Sequence, residues 1–298
     1  MEAMRSRAGI GVVGIGQMGL AMALRLRDGG HAVGVRDIDG EREQLARVAG
    51  AETFSTPAAL AATCAVVIVA VVDAAQCDEV LFGIDGIATT LGPGGGVLLC
   101  PTLGPVRSEA IAARLAAASI DCIEAPMSGG PSRARDGSMS LMVACDDAVF
   151  ERHRSLLAAL SSRLFRVGTR IGDGARTKLV NNLLAAVNLA GAAEVLALAE
   201  RVGLDAARTL AVIEQSSGQS WIGSDRMRRA LEDDLAPRAR TTLLAKDSRL
   251  ALEMASDAGI ALPLGAAAAA RFVAAIAAGN GDLDDACLLD FIRDGRKP

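Results

Sequence analysis

A glycine-rich turn near the start of the chain constrains the fold more than any other feature of the sequence. Gly14, Gly16 and Gly19 have the spacing GxGxxG between an apolar run and a segment with helical periodicity. In a strand–turn–helix unit, the first glycine permits the tight turn and the second lets the backbone approach a pyrophosphate. The third lets the helix pack on the strand, and the helix N-terminus favours the phosphate charge. The pattern predicts a dinucleotide-binding loop, with a purely structural glycine turn as the alternative.

The distribution of apolar runs predicts the fold class. Seven short runs rich in Val, Ile and Leu read as strands, at residues 9–14, 32–37, 65–72, 96–100, 121–124, 139–145 and 164–167. They do not alternate with polar residues, which is typical of a sheet covered on both faces. After residue 167 the pattern is helical throughout, beginning with a long helix from about Asp173. We predict an α/β chain, with an N-terminal Rossmann-type doubly wound sheet domain at residues 1–168. An all-helical substrate and dimerisation domain follows at residues 169–298.

Composition excludes several classes of partner. The chain has 298 residues, a formal net charge of -4, 2% aromatic residues and no tyrosine. Without a basic run or an aromatic stacking platform, nucleic acid is not an expected partner, and a small molecule is. The two uncharged runs at residues 53–72 and 86–106 contain proline, so neither is expected to span a membrane. Six scattered cysteines without a CxxC pair and no secretory leader predict the reducing cytoplasm.

An acidic residue predicts the choice of dinucleotide. Asp37 ends the second predicted strand, close to the offset of about 20 residues at which a carboxylate accepts hydrogen bonds from the adenosine ribose. It would repel a 2′-phosphate, so NAD is favoured over NADP. Arg36 favours NADP if its guanidinium curls back to bind the 2′-phosphate. Asp39 is interpreted as the N-cap of the next helix.

The long helix begins with a lysine that its composition does not explain. After Lys178 the helix is almost wholly apolar as far as Glu194, apart from three asparagines, so it is expected to be buried nearly all round. Lys178, Asn182 and Ala185 lie on one helical face at positions i, i+4 and i+7. An ammonium and a carboxamide there could converge on one polar ligand, and burial favours the neutral amine that can accept a proton from an alcohol. The alternative is that Lys178 simply extends to solvent.

Four motifs follow one another along the chain: GVVGIGQMG, EAPMSGGPSRARDGSM, GARTKLVNN and AKDSRLALEMA. Together they resemble the β-hydroxyacid dehydrogenase family, which includes 3-hydroxyisobutyrate dehydrogenase and tartronate semialdehyde reductase. The resemblance implies that Lys178 is the catalytic lysine and that Asn182 binds substrate. It also implies a loop for the substrate carboxylate, formed by Ser128, Gly129 and Gly130. The implied cofactor contacts are Gly14, Gly16, Gln17, Met18, Gly19, Asp37, Thr102 and Lys246.

Two further segments, VVDAAQCDEVLFG and SSGQSWIGSDRM, resemble the L-threonate dehydrogenase branch. We therefore expect an NAD-dependent oxidoreductase of a small hydroxy acid, with an L-threonate-like sugar acid favoured, and a homo-oligomer of undetermined size. Pro101 and Asp73 depart from the family pattern on loops that would face the nicotinamide, which leaves substrate choice open. An imine reductase and a non-catalytic NAD-binding sensor are the competing interpretations.

Histidine and metal chemistry are not expected. The chain has two histidines: His31 begins a predicted strand, and His153 lies among charged residues on what should be a solvated helix face. Neither belongs to a ligand cluster, so we predict no metal site. Trp221, the single tryptophan, could line the substrate pocket or belong to the core.

Overall fold

The computed structural model describes residues 9–295. The described residues do not include 1–8 and 296–298. The outer limits of both predicted domains therefore lie outside the described residues, as does part of the segment in which the sequence predicts no secretory leader. The chain divides into two compact units, the first ending at Lys178 and the second beginning at Leu179.

The first unit is built on a nine-stranded sheet. Its strands are β1 (Gly9–Val13), β2 (Val33–Arg36), β3 (Glu52–Thr53), β4 (Cys64–Val69), β5 (Gly96–Leu99), β6 (Asp121–Glu124), β7 (Met127–Ser128), β8 (Ser140–Ala144) and β9 (Arg163–Gly168). The spatial order is β3-β2-β1-β4-β5-β6-β8-β7, and β9 pairs with β8. The strands from β3 to β6 run parallel, whereas β8 is antiparallel to β6 and β7. The order 3-2-1-4-5-6 is that of a Rossmann-type doubly wound sheet, so the predicted fold class is confirmed.

Helices follow most of these strands. They are α1 (Gln17–Asp28), α2 (Gly40–Val48), α3 (Pro57–Ala61), α4 (Ala74–Phe82), α5 (Pro105–Ala117), α6 (Gly130–Asp136) and α7 (Asp147–Leu160). Two apolar clusters contain buried strand residues, one with Val12, Val35 and Ile68 and the other with Val13, Val67 and Val97. Adjacent residues of one strand point to opposite faces, so both faces of the sheet are buried, as the continuous apolar runs predict.

The second unit is helical over its described residues, with one isolated β-bridge between Arg240 and Asp284. Helix α8 (Asp173–Arg201) runs from the first unit into the second. It is followed by α9 (Ala206–Glu214), α10 (Trp221–Leu231), α11 (Thr241–Asp257), α12 (Pro263–Ala275) and α13 (Leu288–Arg293). The inner face of α8 supplies Ala186, Leu189, Ala193 and Leu196 to the core of this unit. Among the described residues, α8 is the one helix long and apolar enough to cross a membrane, a test that a core helix also passes.

The carboxylate of Glu124 fastens the start of α8 to the sheet. Glu124 ends β6 and is buried. Its Oε2 atom accepts hydrogen bonds from the backbone N–H groups of Gly172 and Gly174, at 2.8 and 2.9 Å. Backbone donors at the start of a helix have no partner within the helix, and a negative charge is favourable there. The second turn of α8, which carries Lys178, therefore has a fixed place relative to the end of β6.

A buried ionic cluster organises the connection between α10 and α11. Asp284 is fully buried, and its Oδ2 atom lies 3.0 Å from Nη2 of Arg229 on α10. The same oxygen accepts hydrogen bonds from the backbone N–H groups of Arg238 and Ala239, at 2.7 and 3.0 Å, and Oδ1 accepts one from Ala286. Burial alone would raise the pKa of Asp284, but these hydrogen bonds hold it below its usual value. A single side chain thus satisfies three backbone donors and one buried cation.

Replacing Glu124 with alanine should lower the free energy of unfolding by about 2–4 kcal/mol, because it leaves two buried N–H donors unpaired. Glu124→Gln keeps an oxygen in the same place and should cost much less. Urea unfolding of both variants at neutral pH checks the difference. Equal losses would show that the hydrogen bonds at the start of α8 are not what Glu124 contributes.

A comparison of the wild type with Glu124→Gln also gives a test by pH. Burial raises the pKa of Glu124 above its ordinary value of 4.5, against the hydrogen bonds from Ser108, Gly172, Gly174 and Ala175. A carboxyl whose pKa is higher in the folded chain binds more protons there, so stability falls as the pH rises above about 4.5. The unfolding free energy of the wild type should therefore decline with pH relative to that of Glu124→Gln. A parallel pH dependence would contradict this.

Replacing Asp284 with alanine should cost about 3–5 kcal/mol of stability, because it removes the nearest carboxylate from the buried Arg229 and leaves three backbone N–H groups without their acceptor. Asp282 is a matched control two residues away: it is exposed and pairs with Arg240 at 3.3 Å. Asp282→Ala should cost less than about 1 kcal/mol. Urea denaturation checks both variants, and similar losses would refute the role given to Asp284.

Candidate active site

The glycine loop has the geometry that the sequence predicts. Gly14 follows β1 with a φ of +86°, a conformation that L side chains rarely adopt. A Cβ atom on Gly19 would lie 2.0 Å from the carbonyl oxygen of Gly14. The start of α1 therefore packs against the turn so closely that position 19 admits only glycine. Gln17 is the exposed first residue of α1, and Met18 packs against the core.

Asp37, the predicted ribose ligand, holds the glycine loop. Its Oδ2 atom accepts a hydrogen bond from the backbone N–H of Ile15 at 2.7 Å, and its Oδ1 atom accepts one from Asp39 at 2.9 Å. The side chain is buried. Each carboxylate oxygen has a second lone pair that could accept from a ribose hydroxyl. Asp37 therefore joins the end of β2 to the loop, a contact that the sequence did not reveal.

Two arginines near the end of β2 are each paired with a carboxylate. Nη1 of Arg36 lies 2.8 Å from Oε1 of Glu43, and Nε of Arg42 lies 3.2 Å from Oδ2 of Asp39. Asp39 also caps α2, as predicted, by accepting a hydrogen bond from the backbone N–H of Glu41. The positive charges of Arg36 and Arg42 are therefore already compensated by carboxylates.

The remaining predicted positions of the first unit lie beyond the carboxyl ends of β5 and β6. Thr102 is half-buried in the connection from β5 to α5. Ser128 ends β7, and the φ values of Gly129 and Gly130 are +127° and +76°, which turn the chain at once into α6. A Cβ atom on Gly130 would meet nothing within 4 Å, so the backbone there is open. The carboxyl edge of a doubly wound sheet is where ligands bind.

Lys178 is buried, with 7% of its surface exposed. It lies four residues, or about 6 Å along the helix axis, beyond the Gly174 N–H that Glu124 holds. Glu124 itself stands four residues before Ser128 in the segment EAPMS. The helix that carries Lys178 is thus anchored to the segment that leads into the predicted carboxylate loop. The alternative interpretation, in which Lys178 simply extends to solvent, does not fit this burial.

In the second unit, a buried carboxylate orients the predicted substrate-binding carboxamide. Asn182 lies four residues after Lys178 on α8, and its Nδ2 atom donates a hydrogen bond to Oδ2 of Asp247 at 2.6 Å. Asn181 donates to Oδ1 of Asn182 at 3.0 Å. Lys246 Nζ lies 2.9 Å from the other oxygen of Asp247. Asp247 on α11 therefore contacts both Asn182 and Lys246. The sequence shows Lys246 and Asp247 as chain neighbours, but it does not reveal the contact with Asn182.

Three further expectations have mixed outcomes. The solvated helix face predicted for His153 is wrong: the ring is buried against Gly96 and lies 3.1 Å from Oδ2 of Asp121, because Gly96 has no Cβ atom to occupy that space. Trp221 is 44% exposed at the start of α10, which does not fit a core position. Asp73, which departs from the family pattern, caps α4 by accepting from the N–H of Gln76.

No group of three or more His, Cys, Asp or Glu side chains that could hold a metal occurs among residues 9–295. The residues of the glycine loop instead suit a dinucleotide. Positions 14 and 19 have no room for a side chain, and the loop leads into the N-terminus of the 12-residue helix α1. The backbone there can hold a pyrophosphate, with Asp37 at the adenosine end.

Comparisons with known proteins agree with this geometry. Residues 9–168 match the family model described as the NAD binding domain of 6-phosphogluconate dehydrogenase. Residues 172–292 match the one described as NAD-binding of NADP-dependent 3-hydroxyisobutyrate dehydrogenase. The L-threonate dehydrogenase of Cupriavidus necator is 36% identical, over 94% of each chain. The 2-hydroxy-3-oxopropionate reductase of Escherichia coli is 30% identical, over 94% of this chain and 95% of its own.

A crystal structure of 3-hydroxyisobutyrate dehydrogenase from Salmonella typhimurium superposes with a TM-score of 0.89 at 31% identity, over 95% of this chain and 99% of that one. Both family models and relatives of this identity cover nearly the whole described chain. The protein therefore belongs to the β-hydroxyacid dehydrogenase family of NAD(P)-binding oxidoreductases.

Proposed function

We propose that the protein is an NAD-dependent dehydrogenase or reductase of a small hydroxy acid, with Lys178 as the general acid and base. The observation that carries this proposal is the burial of Lys178 on a helix turn that Glu124 holds. Glu124 itself lies four residues before Ser128, where the predicted carboxylate loop begins. Residues 1–168 would bind the cofactor, and residues 169–298 would be the substrate and dimerisation domain.

Each polar group has a distinct role in the proposed reaction. The backbone N–H groups of Gly129 and Gly130 and the hydroxyl of Ser128 would bind the substrate carboxylate. The Asn182 carboxamide, oriented by Asp247, would hold a substrate oxygen. The nicotinamide, when bound, accepts or returns the hydride. Thr102, Lys246 and the glycine loop would contact the cofactor.

Lys178 would move the proton that accompanies the hydride. Oxidation of an alcohol to a carbonyl releases a proton from oxygen, and the neutral amine of Lys178 can accept it. Burial disfavours the charged ammonium, so it favours the form that the oxidation needs. In the reverse direction the ammonium returns the proton to the carbonyl oxygen.

The favoured substrate is an L-threonate-like sugar acid. L-Threonate dehydrogenases of five bacteria or strains are 30–36% identical to this chain over 94% of its length. Oxidation of 3-hydroxyisobutyrate or reduction of tartronate semialdehyde is the alternative within the same chemistry. A non-catalytic NAD-binding sensor is the alternative outside it, and an imine reductase is a third. The six cysteines, all among the described residues, form no disulfide, which supports a location in the reducing cytoplasm.

Lys178→Ala should leave the Kd for NAD nearly unchanged and lower kcat by at least ~100-fold, the usual cost of losing a general base. Lys178→Arg should not restore activity, because a guanidinium does not release its proton near neutral pH. The wild-type oxidation rate should rise with pH as the neutral amine becomes more abundant. Steady-state kinetics with L-threonate and a panel of short hydroxy acids, alongside NAD titrations, provide the measurement.

Two results would count against this assignment in different ways. Wild-type kcat in Lys178→Ala would rule out the proposed mechanism while leaving the enzyme class standing. NAD binding without turnover of any hydroxy acid or matching carbonyl compound would instead favour the sensor.

NAD should bind more tightly than NADP by roughly tenfold or more, equivalent to about 1.4 kcal/mol. The reason is that Asp37 and Asp39 repel a 2′-phosphate while Arg36 and Arg42 are already paired. Asp37→Ala should narrow the gap and weaken both cofactors, because Ile15 and Asp39 lose their acceptor. Asp37→Asn removes the charge but keeps an acceptor, so it should narrow the gap with a smaller overall loss. Fluorescence titrations check this, and a wild-type preference for NADP would overturn it.

A further inference from the structure

Two consecutive carboxylates are buried side by side in the second unit. Asp284 caps a short 3-10 helix (Asp285–Cys287), which precedes α13 and packs against α10. Asp284 and Asp285 have 0% and 2% of their surfaces exposed, and the proposed hydroxy acid chemistry uses neither. Like charges at adjacent buried sites disfavour each other's ionised form. One of the two acids is therefore expected to keep its proton to a higher pH than an ordinary aspartic acid.

The hydrogen bonds of the two acids differ and identify Asp285 as the one that keeps the proton. Asp284 accepts from three backbone N–H groups and lies 3.0 Å from Nη2 of Arg229. The Asp285 carboxylate accepts from Nε of Arg226 on α10, and Nη1 of the same arginine donates to Asp225. Asp284 thus has donors of its own, whereas Asp285 depends on a cation that it shares with another acid.

The charges around Asp285 balance when this acid is neutral. We define the charge cluster as Asp225, Arg226, Arg229, Asp284 and Asp285. With a proton on Asp285, the two arginines of the charge cluster face two ionised aspartates. Loss of that proton leaves one negative charge in excess, and an uncompensated charge is costly at a buried site. The charge cluster therefore favours the protonated form of Asp285.

The cations around the charge cluster are already paired. From α11, Thr241 places an uncharged hydroxyl 3.4 Å from Sγ of Cys287. Burial raises the pKa of this thiol, so it stays neutral. Four neighbouring arginines on the elements that pack here each have a carboxylate partner: Arg228 has Glu214, Arg238 has Asp234, Arg240 has Asp282 and Arg293 has Asp290.

The pKa values of the two acids agree with this assignment. Burial raises the pKa of Asp285 from its ordinary value of 3.8 to about 7, against the attraction of Arg226 and together with the repulsion of Asp284. Despite its burial, hydrogen bonds from Arg229 and the backbone hold the pKa of Asp284 below its ordinary value. Asp285 therefore titrates near neutral pH, while Asp284 stays ionised.

The cation that Asp285 shares also reaches the exposed start of α10. The guanidinium carbon of Arg226 lies 6.0 Å from the centroid of the Trp221 ring, which is the outer range of a cation–π contact. Trp221 is the first residue of α10 and is 44% exposed. A change of charge at Asp285 thus acts on a guanidinium that links a buried turn to the surface.

We propose that Asp285 and Arg226 form a proton-operated latch between α10 and the turn that leads into α13. With the proton on Asp285 the charge cluster is neutral and α10 is held closely. Loss of the proton adds a buried negative charge, draws Arg226 away from Asp225 and Trp221, and loosens the packing of α10. The latch lies within the second unit and does not depend on the substrate or cofactor of the enzyme.

The latch gives stability a defined dependence on pH. A carboxyl whose pKa is higher in the folded chain than in the unfolded chain binds more protons when folded. Its contribution to stability is complete below the unfolded pKa of 3.8 and is lost as the pH rises to about 7. The urea midpoint of the wild type should therefore fall over this range relative to that of Asp285→Asn. Glu124 is present in both proteins, so its own titration cancels.

Fluorescence of Trp221 tests the latch directly, because the chain has one tryptophan and no tyrosine. Emission of the full-length protein should change in a single step centred near pH 7. Asp285→Asn has the shape and charge of the protonated acid, so it should abolish the step. Asp282→Asn is the matched control: its side chain is 90% exposed and lies three residues away, and the step should remain.

A second variant tests the charge balance. Asp225→Asn removes one ionised aspartate, so the charge cluster carries an excess positive charge until Asp285 loses its proton. The step in Trp221 emission should therefore move to lower pH by on the order of one unit. Asp225 is 37% exposed, so this variant disturbs the buried core little and remains informative if Asp285→Asn does not fold. Far-UV circular dichroism at pH 6 shows whether each variant is folded.

Four outcomes would overturn the latch. These are Trp221 emission that does not change with pH, a step that survives in Asp285→Asn, a step that Asp225→Asn does not shift to lower pH, and urea midpoints of the wild type and Asp285→Asn that vary in parallel. Loss of the step in Asp282→Asn would also contradict it, because an exposed acid would then be responsible.

Discussion

The attachment of α8 to the end of β6 is the interaction on which the rest of the proposed active site depends. Glu124 holds the first turn of α8 by two backbone hydrogen bonds, and four residues later the same segment forms the Ser128 loop. A general base acts only within hydrogen-bond reach of its proton, so the position of this helix turn matters more than its stability alone. One buried carboxylate thus places the helix turn that carries Lys178 relative to the end of β6, four residues before Ser128.

Buried carboxylates repeat this function elsewhere in the chain. Asp37 joins the end of β2 to the glycine loop, Asp247 joins α8 to α11 through Asn182, and Asp284 closes the connection between α10 and α11. Asp37 and Asp284 accept hydrogen bonds through both oxygens. Together with Glu124, they bond backbone N–H groups that would otherwise be buried without a partner. The same arrangement would suit Asp37 to the proposed preference for NAD, because a side chain fixed by two N–H donors keeps its charge in one place.

The sequence predicted what depends on local pattern and missed what depends on distant pairing. Seven runs of apolar residues gave the principal strands, and the glycine spacing gave the cofactor loop. The strands β3 and β7 have two residues each, too few to show a pattern. Glu124 left a weak signal as an acid ending an apolar strand, but its partners lie about 50 residues away. The bond from Asn182 to Asp247 spans 65 residues and could not be inferred from spacing.

The prediction that α8 is buried nearly all round is wrong, and the error has a physical cause. Apolar composition indicates that a side chain leaves water, but it does not distinguish burial in the chain's own core from burial against another molecule. On α8 the inner face meets the core of the second unit, while Val180, Leu184 and Leu198 on the outer face are 59% to 63% exposed.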